Sequence, residues 1–132
     1  MPLTDVETVR GRVRVDELKT VLMHEHVFVT TPEIQLNYPH LWQEDEQIAG
    51  AVRKLTALKQ AGVDTIADPT VIGLGRDVAR IAKVNALVDI NIIVATGIYT
   101  YSDVPYFFAY HGPRTSAWPS SPRSPSGVWP SG

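Results

Sequence analysis

Cysteine is absent from the 132 residues of this chain. Its absence excludes disulfides, thiolate metal ligands and cysteine nucleophiles together. Net charge is also low, with a formal value of −2 at pH 7, which provides no global attraction to nucleic acid or to an anionic membrane. No apolar run approaches the ~20 residues of a membrane span, and Met1–Arg10 does not resemble a secretory signal. We therefore expect a cytoplasmic protein with no nucleic-acid or membrane partner.

What is present can form a globular core, since 44% of the residues are hydrophobic. Apolar runs predict strands at Val21–Val29, Val63–Ala67 and Ile90–Ala95. Helical spacing of apolar residues predicts a helix over 44–61, ended by Gly62, and a second helix that begins near Asp77 and buries Val78, Ile81, Ala82 and Val88. Connections of this length require parallel strands with right-handed crossovers. The pattern predicts an α/β fold, either a doubly wound sheet or a (β/α)8 barrel.

Two histidines interrupt the first of these predicted strands. Because strand side chains alternate, His24 and His26 project to the same side, about 7 Å apart, while Glu25 points the other way. Apolar residues on both sides of the pair predict a strand buried on both faces, where imidazoles need a metal or hydrogen-bond partners. Zinc takes three or four protein ligands, so the pair alone leaves a metal site and an ordinary pair of hydrogen-bonded histidines both open.

Three other segments have weaker functional patterns. The proline-punctuated stretch 30–44 predicts a loop whose Tyr38, His40 and Trp42 either line a pocket or pack onto neighbouring elements. A predicted hairpin over Val6–Val15 carries arginines on one face, which is typical of a solvated surface rather than a phosphate site. The glycine-rich turn 73–78 lacks the third glycine of a dinucleotide fingerprint and follows the second strand, so nucleotide binding is disfavoured.

Four blocks carry a more specific signal when they are read together. They are His24-Glu25-His26, Tyr38–Leu41, Asp68–Asp77 and Thr96–Tyr101. In this order they closely resemble the phosphotriesterase family, and more narrowly its phosphotriesterase-like lactonase branch, over about residues 7–113. Lys19 stands where the family usually has glycine, and Val21 where threonine is common, but neither departure removes a ligand.

The resemblance implies a (β/α)8 barrel with a two-metal centre, in which zinc is the expected metal. Such an enzyme hydrolyses lactones and, as a side activity, organophosphate esters. His24 and His26 match the histidines that hold the more buried metal, and the nucleophile is a hydroxide that bridges the two metals. Tyr99 matches a tyrosine that faces the substrate, although a tyrosine packed at the strand end is the alternative. Tyr101 and the segment after it match a dimer surface, so intact relatives are expected to form homodimers.

The family pattern stops near residue 113. Residues 112–132 hold five prolines, six serines and three glycines, with neither acid nor lysine. This composition predicts a disordered tail over 113–132 after a partial hydrolase barrel over 1–112. We expect that the coding frame was shifted or cut near residue 113, and a natural flexible tail is the alternative.

A barrel of this type needs eight strands and about 250 residues, whereas the chain offers three strands. The resemblance places the bridging lysine, two further histidines and an aspartate on later strands, but here no lysine follows Lys83, no carboxylate follows Asp103, and His111 is the only late histidine. We therefore expect the first three βα units of a truncated barrel, marginally stable and inactive, that keep half of one metal site. A non-catalytic interaction protein, acting through open strand edges or the proline-rich tail, is the alternative.

Overall fold

The computed structural model describes residues 4–100 and 106 of the chain. Its strands and helices lie in a compact unit of residues 1–101. In chain order they are β1 (Asp5–Thr8), β2 (Gly11–Arg14), β3 (Val21–Leu22), α1 (Pro32–Asn37), α2 (Glu44–Gln60), β4 (Thr65–Asp68), α3 (Val78–Asn85) and β5 (Asn91–Val94). The predicted tail over 113–132, its boundary at residue 112 and the predicted dimer segment from Tyr101 lie outside the described residues, apart from Tyr106.

Two sheets organise this unit. Strands β1 and β2 form the predicted antiparallel hairpin, with Val6 opposite Val13. Strands β3, β4 and β5 form a parallel sheet with β4 in the centre. Because helix α2 joins β3 to β4 and α3 joins β4 to β5, the α/β class and the parallel crossovers are confirmed.

The core joins the sheet to its two long helices. Ile66 of β4 and Ile92 of β5 lie directly opposite each other, and both are fully buried. Ala51 and Leu55 of α2 pack in the same cluster, as do Ile81 and Val84 of α3. The buried residues of helix α3 differ in part from those predicted. Val84 and Asn85 are buried, whereas Val78 is half-buried and Ala82 is exposed.

Strand β3 is much shorter than predicted, and its pairing with β4 becomes irregular after Leu22. It ends at Leu22, so the predicted strand over Val21–Val29 and its burial are wrong, and Met23 to His26 are exposed. The ladder contributes one more bond, from the Glu25 amide to the Ala67 carbonyl at 3.1 Å. The next parallel ladder bond would need the N–H of residue 69, which is proline and has none.

The segment predicted as a loop contains α1 and a single 3-10 turn over Pro39–Leu41. Proline stands at the first position of α1, where its missing N–H costs nothing, and Glu33 lies in the first turn. The helix buries none of its residues, so it leaves no apolar period in the sequence. Among residues 4–100, no helix is long and apolar enough to cross a membrane.

Candidate functional site

The two histidines of the predicted metal motif lie together just after β3. Their ring centroids are 5.1 Å apart and their planes meet at 81°. They reach this arrangement on a loop rather than on a regular strand. The His26 side chain keeps 28% of its surface accessible, so one edge of its ring is open.

Behind His26 lies a hydrogen-bonded pair that sequence reasoning treated only as a turn. The Nδ1 atom of His26 is 2.8 Å from the Thr70 hydroxyl oxygen, and Thr70 is 6% exposed. Asp68, which is 2% exposed, accepts from the Thr70 hydroxyl and, at 2.9 Å, from the Thr70 amide. The available signal was the Asp-Pro-Thr sequence at a strand end, where polar residues in parallel sheets commonly serve a site.

The loops after β3 and β4 are tied together at a second place. The Thr30 amide donates to the Leu74 carbonyl at 3.0 Å, and Gly75 adopts a positive φ of 80° against Thr30. This contact fixes the C-terminal end of the segment that carries the two histidines. The turn after β4 therefore holds that segment at two places, through Thr70 and at Gly75.

The number of ligand side chains limits what this site can bind. Within the described residues, no three His, Cys, Asp or Glu side chains come close enough together to hold a metal ion. His24 and His26 therefore fit two positions of a metal site, and zinc requires at least one more protein ligand.

Tyr99 follows β5 at the same edge of the sheet. Its amide donates to the Ile72 carbonyl at 2.9 Å, beside an isolated parallel bridge between Ile72 and Ile98. The Tyr99 side chain is 63% exposed, and its Cβ approaches the position that a Gly73 Cβ would take to 3.1 Å. Tyr99 is thus held by its backbone, while its phenol ring is accessible.

The aromatic residues of segment 30–44 divide between surface and packing. Tyr38 and His40 are exposed, with ring centroids 6.3 Å apart. Trp42 packs edge-on against Phe28, and the Arg80 guanidinium lies 4.8 Å from its ring centre. Trp42 therefore acts as a packing residue, which is one of the two alternatives left open by its sequence.

A charged cluster joins the start of α2 to α3. The Trp42 indole donates to Glu44 at 2.6 Å, and Arg80 and Lys83 contact the same carboxylate at 2.9 and 3.3 Å. These hydrogen bonds, that of Trp42 first, hold the pKa of Glu44 below its ordinary value against the opposing effect of desolvation. The cluster connects helix α2 to helix α3, and none of its residues belongs to the histidine motif.

A small cavity lies beside Asp68 and Thr70, with Phe28 and the start of α3 among its walls. Its volume is about 10 Å³, which is room for about one water molecule. This cavity is too small for an organic substrate, whereas the histidine pair and Tyr99 lie at the edge of the sheet with Tyr99 63% exposed.

The fold and this edge together define a parallel α/β protein with a histidine pair and an exposed tyrosine after its strands. Comparison with known proteins identifies the family. The model of the phosphotriesterase family matches residues 4–121, and the chain belongs to that family. The match is slightly wider than the 7–113 expected from the motifs.

Two curated relatives and one solved structure agree with this assignment. A phosphotriesterase homology protein of Mycobacterium tuberculosis is 54% identical over 112 residues, which are 84% of this chain and 34% of the relative. An aryldialkylphosphatase of Saccharolobus solfataricus is 38% identical over 108 residues, which are 82% and 33%. The structure of the phosphotriesterase from M. tuberculosis matches with a TM-score of 0.78 at 54% identity, over 83% of this chain and 34% of that one. The chain thus spans about a third of the length of these relatives.

Proposed function

We propose that this chain is the N-terminal part of a metal-dependent hydrolase of ester bonds, whose first three βα units build one side of a (β/α)8 barrel. The observation that carries this proposal is the convergence of His24 and His26 at the carboxyl edge of a parallel sheet. In barrels of this type, catalytic residues stand at that edge of the strands. Membership of the phosphotriesterase family supports the reaction class.

The two imidazoles would hold one divalent ion, with zinc as the expected metal, and residues that match the family's remaining ligands are missing from this sequence. A metal in such a site polarises the carbonyl or phosphoryl oxygen of the substrate and lowers the pKa of a coordinated water. His24 and His26 then serve as ligands, and neither transfers a proton.

Tyr99 is the residue proposed to contact the substrate. Its accessible phenol ring stands after β5 at the edge that also carries the histidines after β3, and its hydroxyl can donate to a carbonyl oxygen. Contact between this tyrosine and the ester group of a lactone fits the lactonase branch, and the aryldialkylphosphatase relative supports phosphate triesters as a second substrate class. We propose further that intact relatives of this chain act as homodimers.

The chain alone is proposed to be inactive. In the described part, two histidines converge and no third ligand joins them. A divalent ion held by two neutral imidazoles, and otherwise by water, exchanges readily and is not fixed in the geometry that hydrolysis requires.

Cobalt(II) titration of the full chain tests the ligand assignment. Cobalt bound to imidazoles absorbs visible light, and we expect a weak signal that is lost in His24→Ala and in His26→Ala. His40→Ala is the matched control, because His40 is exposed on the 3-10 turn and, among the described residues, its imidazole makes a ring contact with Tyr38 alone. An equal loss in His40→Ala would contradict the assignment.

Activity is measured on the same preparations with a simple lactone and with an aryl dialkyl phosphate. We expect no metal-dependent turnover by the chain. Hydrolysis that requires added zinc or cobalt and disappears in His26→Ala would contradict the inactivity while supporting the ligands.

A non-catalytic interaction protein is the second candidate. Strand β3 is an edge of the described sheet, and an open strand edge offers backbone donors and acceptors to another chain. The edge of β5 is partly covered, since the Val9 amide donates to the Ile92 carbonyl at 2.8 Å. Capture of a partner that depends on Pro122 and Pro125 would favour the tail as the binding segment.

A further inference from the structure

Hydrogen bonds link the side chains of Asp68, Thr70 and His26, and the chemistry of these groups determines which is the donor and which the acceptor in each bond. The Thr70 hydroxyl has three neighbours: Asp68, the Phe28 carbonyl at 3.3 Å and His26 Nδ1 at 2.8 Å. The hydroxyl carries one proton and can therefore donate to only one of these three neighbours.

Two of the three neighbours are acceptors only. The Phe28 carbonyl has no proton to give. The Asp68 carboxylate oxygens act as acceptors in the structure, since they accept the Thr70 amide at 2.9 Å and the Val27 amide at 3.4 Å. The hydroxyl proton therefore goes to Asp68 or to Phe28, and the Thr70 oxygen is left as an acceptor toward His26. The partner that can donate to it is Nδ1–H of the imidazole.

We propose that Asp68 and Thr70 are positioning residues that keep the proton of neutral His26 on Nδ1 and leave Nε2 free as the ligand atom. This inference rests on the proposed function for its purpose, since a free Nε2 matters when a metal is bound there. Metal-binding histidines generally donate their other N–H to a carbonyl or carboxylate, which fixes the ring and its tautomer. Here the carboxylate acts through an intervening hydroxyl.

Burial makes the arrangement rigid. Asp68 is 2% exposed and Thr70 is 6% exposed, so water does not compete for either side chain. Asp68 also belongs to strand β4, and its amide-bound carboxylate cannot rotate without breaking contacts to two backbone N–H groups. The ring of His26 is thus held from the central strand of the parallel sheet.

Nitrogen-15 NMR of the full chain with labelled histidine tests this directly, since ring nitrogen shifts distinguish the two neutral tautomers. The spectrum is recorded without metal at about pH 8, where imidazole is neutral, and His26 is assigned by its loss in His26→Gln. We expect the Nδ1–H form for His26 in the natural chain. A spectrum dominated by Nε2–H would overturn the proposal, whether or not any variant folds.

Thr70→Val removes the hydroxyl at nearly constant volume, and we expect the His26 proton to move to Nε2. Cobalt(II) affinity should fall about tenfold or more, as for other losses of a ligand's supporting partner, and Thr70→Ser should restore both readouts. Thr65→Val is the matched control, because it removes the buried hydrogen bond from Thr65 to the Leu18 carbonyl without touching His26. Unchanged tautomer and affinity in Thr70→Val, or an equal change in Thr65→Val, would overturn the proposal.

The two proposals fail separately. If no chain binds cobalt but the tautomer changes in Thr70→Val and returns in Thr70→Ser, the positioning role stands and the metal-site proposal falls. If cobalt binds through His24 and His26 regardless of residue 70, the metal site stands and the positioning role falls.

Discussion

Replacement of Gly75 by alanine is expected to separate the histidine-bearing segment from the turn that supports it. Gly75 has a φ of +80°, and a Cβ there would lie 1.9 Å from the Thr30 hydroxyl oxygen and 2.7 Å from the Thr30 carbonyl oxygen. Because one of these atoms is backbone, rotation of the Thr30 side chain cannot relieve the clash. The loops must move apart, and the hydrogen bond from Thr30 to Leu74 is then lost.

The expected cost has two parts. A left-handed conformation costs a non-glycine residue about 1–2 kcal/mol, and overpacking of a well-filled contact costs about 1–3 kcal/mol. The free energy of unfolding should therefore fall by about 2–5 kcal/mol. A small domain has only about 5–15 kcal/mol in total, and this isolated unit is expected to have less.

Gly62→Ala is the matched control. Gly62 has a φ of +95°, but no atom lies within 4 Å of the position that its Cβ would take, so only the conformational part applies. Urea unfolding of both variants, followed by far-ultraviolet circular dichroism in a stabilising osmolyte, should place Gly75→Ala about 1–3 kcal/mol below Gly62→Ala. Equal losses in the two variants would refute the close approach of Gly75 to Thr30.

Three further outcomes are expected. Ile66→Ala should lower the free energy of unfolding by about 2–5 kcal/mol because Ile66 is fully buried; a loss under about 1 kcal/mol in urea titration would contradict that burial. Glu44→Gln should destabilise the chain at pH 7, since the pKa of Glu44 is lowered in the folded state, chiefly by Trp42. That stabilisation is present above the ordinary value of 4.5 and is lost as pH falls through the lowered folded-state pKa, so the difference between natural chain and variant should shrink as the pH of the urea titrations is taken below 4.5; a constant difference would contradict it. Asn85→Ala should cost about 1–3 kcal/mol, because the Asn85 amide donates to the Val88 and Ile90 carbonyls in the core; unchanged thermal unfolding would show that these carbonyls find other donors.

Local sequence patterns were sufficient to predict most of the helices and strands. Helix α2 begins at the acidic turn of Glu44 and ends before Gly62, as predicted, because charges, apolar spacing and a glycine stop act within a few residues. The Asp77 side chain caps α3 by accepting the Arg80 amide, also as predicted. The parallel pairing follows from the lengths of the connections.

The supporting residues of the candidate site could not be obtained in the same way. Asp68 and Thr70 lie more than 40 residues beyond His26, and nothing local to either segment indicates that Thr70 faces an imidazole. The length of β3 is likewise decided by its pairing with β4, because the register slips by one residue between Leu22 and Glu25, and Pro69, just after β4, has no N–H to continue the ladder.

By itself, the sequence determined the α/β class, the alternation of the parallel strands with the helices α2 and α3, and the family, because spacing, caps and motifs are properties of neighbouring residues. Only the tertiary structure decided where β3 ends, that Trp42 packs under Arg80, and that a buried carboxylate and hydroxyl stand behind His26. These features depend on which distant backbone and side-chain atoms compete for the same hydrogen bonds, and that competition exists only once the strands have been brought together.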